Sequence, residues 1–145
     1  MRVKRLIRGQ EGQAVVELAL VLPILIFLLL VIMEGGRIFA GYVELQNAAR
    51  DGARYAAIHC TVKEVPDGAV SSWVASTLTP WVQSRLTMLS PQNLSIEFSR
   101  KENADRTETW VEITLSYPME IVTPGISAIT GNPFNLRITM AMRNE

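Results

Sequence analysis

The sequence predicts an α+β fold: a long N-terminal helix whose first half crosses a membrane, a short helix, and a small antiparallel three-stranded sheet packed on the outer half of the long helix. Three observations predict it. From Leu18 to Met33 sixteen consecutive residues carry no charge, and thirteen of them are Leu, Ile, Val or Phe. From Glu34 to Ile58 the chain has no proline and its charges recur at helical gaps. Beyond Asn93, apolar and polar residues alternate with the period of two that a half-buried strand requires.

The apolar run is too long and too uniform for a soluble surface. On insertion scales Leu, Ile, Phe and Val each contribute roughly −0.3 to −0.6 kcal/mol, and a central charge costs about 2.5 to 3.5 kcal/mol. Thirteen such residues therefore outweigh the one carboxylate, Glu17, at the edge of the run. Counting from Ala14 to Met33 gives twenty residues, about 30 Å of helix, enough to cross a bilayer core. Pro23 is the internal breaker, and lipid-embedded helices accommodate a proline as a kink. Arg2, Lys4, Arg5 and Arg8 precede the run, whereas Arg37 and Arg50 are the basic residues just after it. The positive-inside rule then places the N-terminus in the cytoplasm and the remainder outside. A secretory signal peptide would share the basic start. Its candidate cleavage sites, Ile38-Phe39-Ala40 and Met33-Glu34-Gly35, each carry a bulky residue where a small one is needed.

The helix continues past the membrane despite Gly35, Gly36, Gly41 and Gly52, each costing about 1 kcal/mol against Ala. Ala48, Gly52 and Ala56 form one i, i+4 row, and Ala49, Ala53 and Ala57 form the next. This strip lets another backbone approach closely. Two occupants fit it: the chain's own sheet, or neighbouring helices. Arg50 and Arg54 lie four apart and call for an acidic partner, with Asp51, Glu97, Glu112 and Glu120 as candidates; a solvated charged face is the plainer reading.

The segment KEVPDG (63–68) reads as a linker. Ala69 to Leu89 reads as an amphipathic helix carrying Val70, Trp73, Val74, Leu78, Trp81, Val82, Leu86 and Leu89, bent or divided at Pro80. Strands follow over residues 93–99, Trp110 to Tyr117 and Leu136 to Arg143. RKENADRTE forms a polar hairpin loop between the first two, and a Pro-, Gly- and Asn-rich stretch runs from Pro118 to Pro133. Three strands cannot cover their own faces, so one face packs on the helix.

Fourteen basic and fourteen acidic residues cancel, and no basic face for nucleic acid emerges. The one cysteine, Cys60, has no partner within the chain; it either pairs with another chain or is a small thiol at a helix end. A single histidine, His59, no spaced metal-ligand set, no phosphate loop and no nucleophile motif argue against an enzyme, a metal or a cofactor.

GQAVVELALVLPILIFLLLVIMEGGRIF (Gly12 to Phe39), followed by LQNAARDGARYAA (Leu45 to Ala57), resembles the TadE-like family of pseudopilins, which belongs with the Flp (type IVb) pilus and tight-adherence (Tad) apparatus of bacteria; ITMAMRNE is similar to that family's C-terminal strand. The resemblance implies a pilin-like fold and a class III-type prepilin signal: a short basic leader, a Gly at the cut, and a Glu five residues into the mature chain. Cutting between Gly12 and Gln13 places Glu17 fifth, whereas cutting after Gly9 would place Ala14 there. Leu18 stands where family members commonly carry Phe or Tyr.

On this register residues 1–12 are the leader, 13–33 the transmembrane helix, 34–60 the outer half of the helix and 61–145 an extracytoplasmic α+β head. Cleavage removes four basic residues and Glu11, leaving ten basic and thirteen acidic side chains. It also frees an ammonium at Gln13, and a carboxylate offered by a neighbouring subunit would relieve both charges in lipid. Glu17 is then an assembly residue. The implied partners are the prepilin peptidase, other pilin or pseudopilin subunits, Tad assembly-platform proteins and membrane lipid. The implied location is the bacterial inner membrane, single-pass, with possible incorporation in a surface pilus. The larger outer domain points to a minor subunit, since the main Flp pilin is much shorter. An unprocessed single-pass adaptor or envelope scaffold shares the same topology.

Overall fold

The computed structural model describes residues 4–61, 64–102 and 109–144. Its spine is α1 (Lys4–His59), a single helix of 56 residues, about 84 Å long. The helix begins at Lys4, ahead of the apolar run, and it passes through Pro23 without a break. Its apolar first half is exposed from Val15 to Leu29 and again at Ile32 and Met33, with Leu30 and Val31 half-buried. That is the surface expected of a helix whose solvent is lipid.

The sheet is a meander in the order β1–β2–β3, built from β1 (Ser95–Glu102), β2 (Thr109–Met119) and β3 (Phe134–Arg143). Both pairings are antiparallel, and their register places apolar residues opposite apolar residues: Phe98 faces Ile113, Leu115 faces Ile138, and Tyr117 faces Leu136. Val111, Ile113 and Leu115 on the central strand are fully buried. They pack against α1 in one core that includes Leu45, Ala48, Ala49, Ala53, Ala56, Ala57 and Cys60. The period of two on the sheet thus meets the period of four on the helix.

The small-residue strip is what lets the two approach. A β-carbon on Gly52 would lie 3.0 Å from Val82 Cγ2 and 3.5 Å from Ile113 Cδ1. Both rows of the strip are buried by the chain's own sheet and second helical segment.

That second segment departs from a single helix over residues 69–89. A 3₁₀ turn (Asp67–Ala69) leads into α2 (Val70–Trp73), a π-helical turn (Val74–Leu78) and α3 (Thr79–Gln83). The π turn directly precedes Pro80, whose missing N–H and bulky ring disturb the preceding turn. Beyond Gln83 the chain tightens into turns, with Ser84 N–H donating to Pro80 O, Arg85 N–H to Val82 O and Leu86 N–H to Gln83 O, and the N–H groups of Thr87, Met88 and Leu89 then donate to the carboxylate of Glu44. Leu86 and Leu89 are buried all the same.

The strands are longer than their sequence pattern. β1 runs on through Arg100, Lys101 and Glu102, which RKENADRTE had placed in a loop; residues 103–108 of that loop, like Lys63 of the linker, lie outside the described residues. Within the Pro-rich connection, Pro118 and Met119 complete β2, and Ile126–Thr130 forms a short helix, α4.

Replacing Gly52 by Leu is expected to cost about 1–3 kcal/mol through overpacking against Val82 and Ile113. Gly35, with nothing within 4 Å of its β-carbon position, should accept the same change without destabilising the head. Urea unfolding of the detergent-solubilised chain, followed by Trp fluorescence, measures both.

Candidate functional site

The residues singled out near the N-terminus lie on the exposed apolar half of α1. The Gly12–Gln13 peptide is inside the helix, and a β-carbon on Gly12 would touch nothing within 4 Å. Gln13 Nε2 donates to Glu17 Oε1 at 3.2 Å, one turn along. Both side chains remain exposed, so Glu17 presents its carboxylate outward, beside the residue that would carry the new amine.

The six small residues serve a different contact. Ala48, Ala49, Gly52, Ala53, Ala56 and Ala57 are buried within the chain, which leaves the strip closed to neighbouring helices. Arg50 and Arg54 are exposed on the opposite side, and among the described residues neither forms an ion pair. The carboxylates proposed for them are engaged elsewhere: Glu97 with Arg137 at 3.0 Å, and Glu112 with Lys101. Glu120 uses its backbone carbonyl to accept from Arg37. For Glu97 and Glu112 the partner is a basic residue on another strand of the sheet rather than on α1.

His59 and Cys60 do not form a dyad. The His59 ring stacks on Tyr55 at 4.2 Å, and its Nδ1 is 3.0 Å from the Tyr55 carbonyl. Cys60 is fully buried at the end of α1, and burial pushes its thiol pKa up. It behaves as the small thiol at a helix end, with no access for another chain. The stack continues from Tyr55 to Trp81 at 4.5 Å, with the Arg85 guanidinium 4.5 Å above Trp81. These aromatics join the core to the second helical segment.

Three polar groups that the sequence pattern does not single out hold the head on the stalk. Glu34, the first residue after the apolar run, is only 3% exposed. It accepts from Arg37 Nε at 3.1 Å and from Thr123 Oγ1 at 3.0 Å. Arg37, one turn on, also reaches the Glu120 carbonyl. The Arg37 hydrogen bond is the main cause that holds the Glu34 carboxyl below the usual carboxylate range; burial opposes it and is outweighed. For Glu44 burial is the largest single influence and raises the pKa. The combined bonds from Thr87, Met88 and Leu89 overcome it and leave the pKa lowered. Arg100, 5% exposed, points into the core end of the sheet, donating to Val65 O at 2.8 Å, to Cys60 O at 3.4 Å and to Asp67. The spacing of Glu34 and Arg37 at i, i+3 was a readable signal. The partners of Glu44 and Arg100 lie tens of residues away and left none.

These features define a class: an α+β protein of pilin-like build, with one helix long and apolar enough to cross a membrane. Residues 12–54, under half of the chain, match the family model described as TadE-like protein, so over this segment the chain is similar to that family, as its motif suggests. The matched segment is the helix and not the sheet. No curated protein and no solved structure matches the chain.

Because both Glu34 and Glu44 have folded-state pKa values below their unfolded ones, their contribution is fully present above the unfolded carboxylate range, about 4.3. It is lost as pH falls through the folded values. The urea midpoint of the chain is expected to drop on acidification through that window. The double variant Glu34→Gln, Glu44→Gln should start lower and lose less, and an unchanged pH slope would remove these two groups as its source.

Proposed function

We propose that the chain is a minor pilin or pseudopilin subunit of a Flp (type IVb) pilus or Tad apparatus. It is made with the N-terminus in the cytoplasm and the head outside the inner membrane, and is cut by a prepilin peptidase between Gly12 and Gln13. The observation that carries this reading is the division of labour along α1. The small-residue face of the outer half is covered by the chain's own sheet and second helical segment, whereas the inner half is exposed from Gln13 to Leu29, with Glu17 on it. That exposed stretch is open to an assembly contact, and Glu17 is the charged group on it.

Cleavage exposes a new ammonium at Gln13, which in lipid needs a counter-charge. The Glu17 carboxylate of an adjacent subunit supplies one and fixes the stagger between helices. Glycine at position 12 weakens the helix locally by about 1 kcal/mol against Ala. That favours unwinding of the scissile peptide into a peptidase. The subunit itself performs no catalysis in this reading: its histidine is stacked and its thiol buried.

Edman or mass-spectrometric analysis of the protein from native membranes should find Gln13 as the first residue. A start at Met1 in cells with an active prepilin peptidase supports the unprocessed adaptor instead. Glu17→Ala should leave membrane insertion intact and abolish pilus assembly; unchanged piliation would sink the role given to Glu17.

A further inference from the structure

The connection between β2 and β3 reaches back along α1 toward the membrane. A β-carbon placed on Gly125 would lie 3.5 Å from Phe27 Cε2, so the loop rests against a residue well inside the apolar run. Met33 ends that run six residues later, about 9 Å along the helix axis. If this loop stood in water, the lipid-covered helix would extend only from Ala14 to Ile26, thirteen residues and about 20 Å, against the roughly 30 Å of a bilayer core. The loop and a full span fit together only if the loop enters the lipid.

Its composition agrees. Residues 121–136, sixteen in succession, contain no ionisable side chain, and Glu120 and Arg137 bracket them. Two large apolar side chains point away from the protein: Val122 is 74% and Ile129 87% exposed. Between them, α4 places Ile126 and Ala128 on a turn whose Thr130 hydroxyl is satisfied locally, Oγ1 donating to Ile126 O at 3.1 Å. At the loop's root, Thr123 Oγ1 donates to Glu34, so the carboxylate nearest the end of the span is shielded as the loop passes over it.

We infer that residues 121–133 form a second membrane contact, a wedge inserted into the headgroup and upper acyl region of the leaflet beneath the head. The occupant of this apolar surface is lipid, because it is continuous with the lipid-facing surface of α1 at Phe27. An insertion of about 9 Å matches the 5–10 Å at which interfacial segments settle. With α1 it makes a two-point attachment, which fixes the rotation and tilt of the head on the membrane. This rests on α1 being a membrane span with the head outside.

The test uses the full chain in vesicles of phosphatidylethanolamine and phosphatidylglycerol, with an environment-sensitive fluorophore on one introduced cysteine. The wild-type chain, whose Cys60 is buried, is the blank. Leu25→Cys reports the span, Ala128→Cys the loop, and Ser71→Cys the far end of the head. Lipids bearing a nitroxide high on the acyl chain should quench the labels at 25 and 128 and leave that at 71 bright. Quenching at 25 with none at 128 overturns the wedge while the span stands; a blue-shifted but unquenched label at 128 overturns it too, by showing a protein neighbour instead. No quenching at 25 overturns the span reading itself. Adding Ile129→Asp should abolish most quenching at 128 and spare 25, and undiminished quenching would overturn Ile129 as the inserted side chain.

Discussion

The close approach of the sheet to the outer half of α1 is the contact on which the rest of the molecule depends. A three-stranded sheet has no second layer of its own, and a helix of this length gains nothing from its small residues unless something is laid upon them. Ala48, Ala49, Gly52, Ala53, Ala56 and Ala57 bring backbone to within van der Waals reach of Val82 and Ile113. One continuous helix can then serve two solvents. Its inner half meets lipid with bulky aliphatic side chains, and its outer half meets protein with almost none.

The polar groups are arranged around that contact. Glu34 and Glu44 both project from α1 and both take up backbone or hydroxyl donors of distant loops, Glu34 at Thr123 and Glu44 at residues 87–89. Arg100 does the converse at the far end, donating to carbonyls near the end of α1. A buried ion is costly without partners and specific with them, so these three groups set where along the helix the head is seated.

Much of this was legible in the sequence because it depends on periodicity. The apolar run, the i, i+4 rows of small residues and the alternation in Val111, Ile113, Leu115 and Tyr117 each report a face, and each face is where the pattern puts it. The motif around Gly12 and Glu17 is local as well. What the sequence could not show is which long-range partner wins. Glu97 and Glu112, two of the acids considered for Arg50 and Arg54, pair within the sheet instead, and the segment expected to stay helical to Leu89 gives way to turns after Gln83, with Glu44, some forty residues earlier, taking the donors of residues 87–89. Arg100 looked like a loop residue until its strand partner Val111 placed it on the inner face. The loop of residues 121–133 read as punctuation, since proline and glycine hide the fact that its exposed residues are apolar.

The central claim is that the outer half of α1 and the sheet are one cooperative body, with the membrane helix as its extension. Native-state hydrogen exchange on the full chain in bilayers measures this directly. The account predicts that the amides of residues 48–57 and those of Val111 to Leu115 open together, with the same free energy and the same denaturant dependence. Opening of the sheet while residues 48–57 stay protected would contradict it, and would make the head a separate domain tethered to a self-sufficient helix.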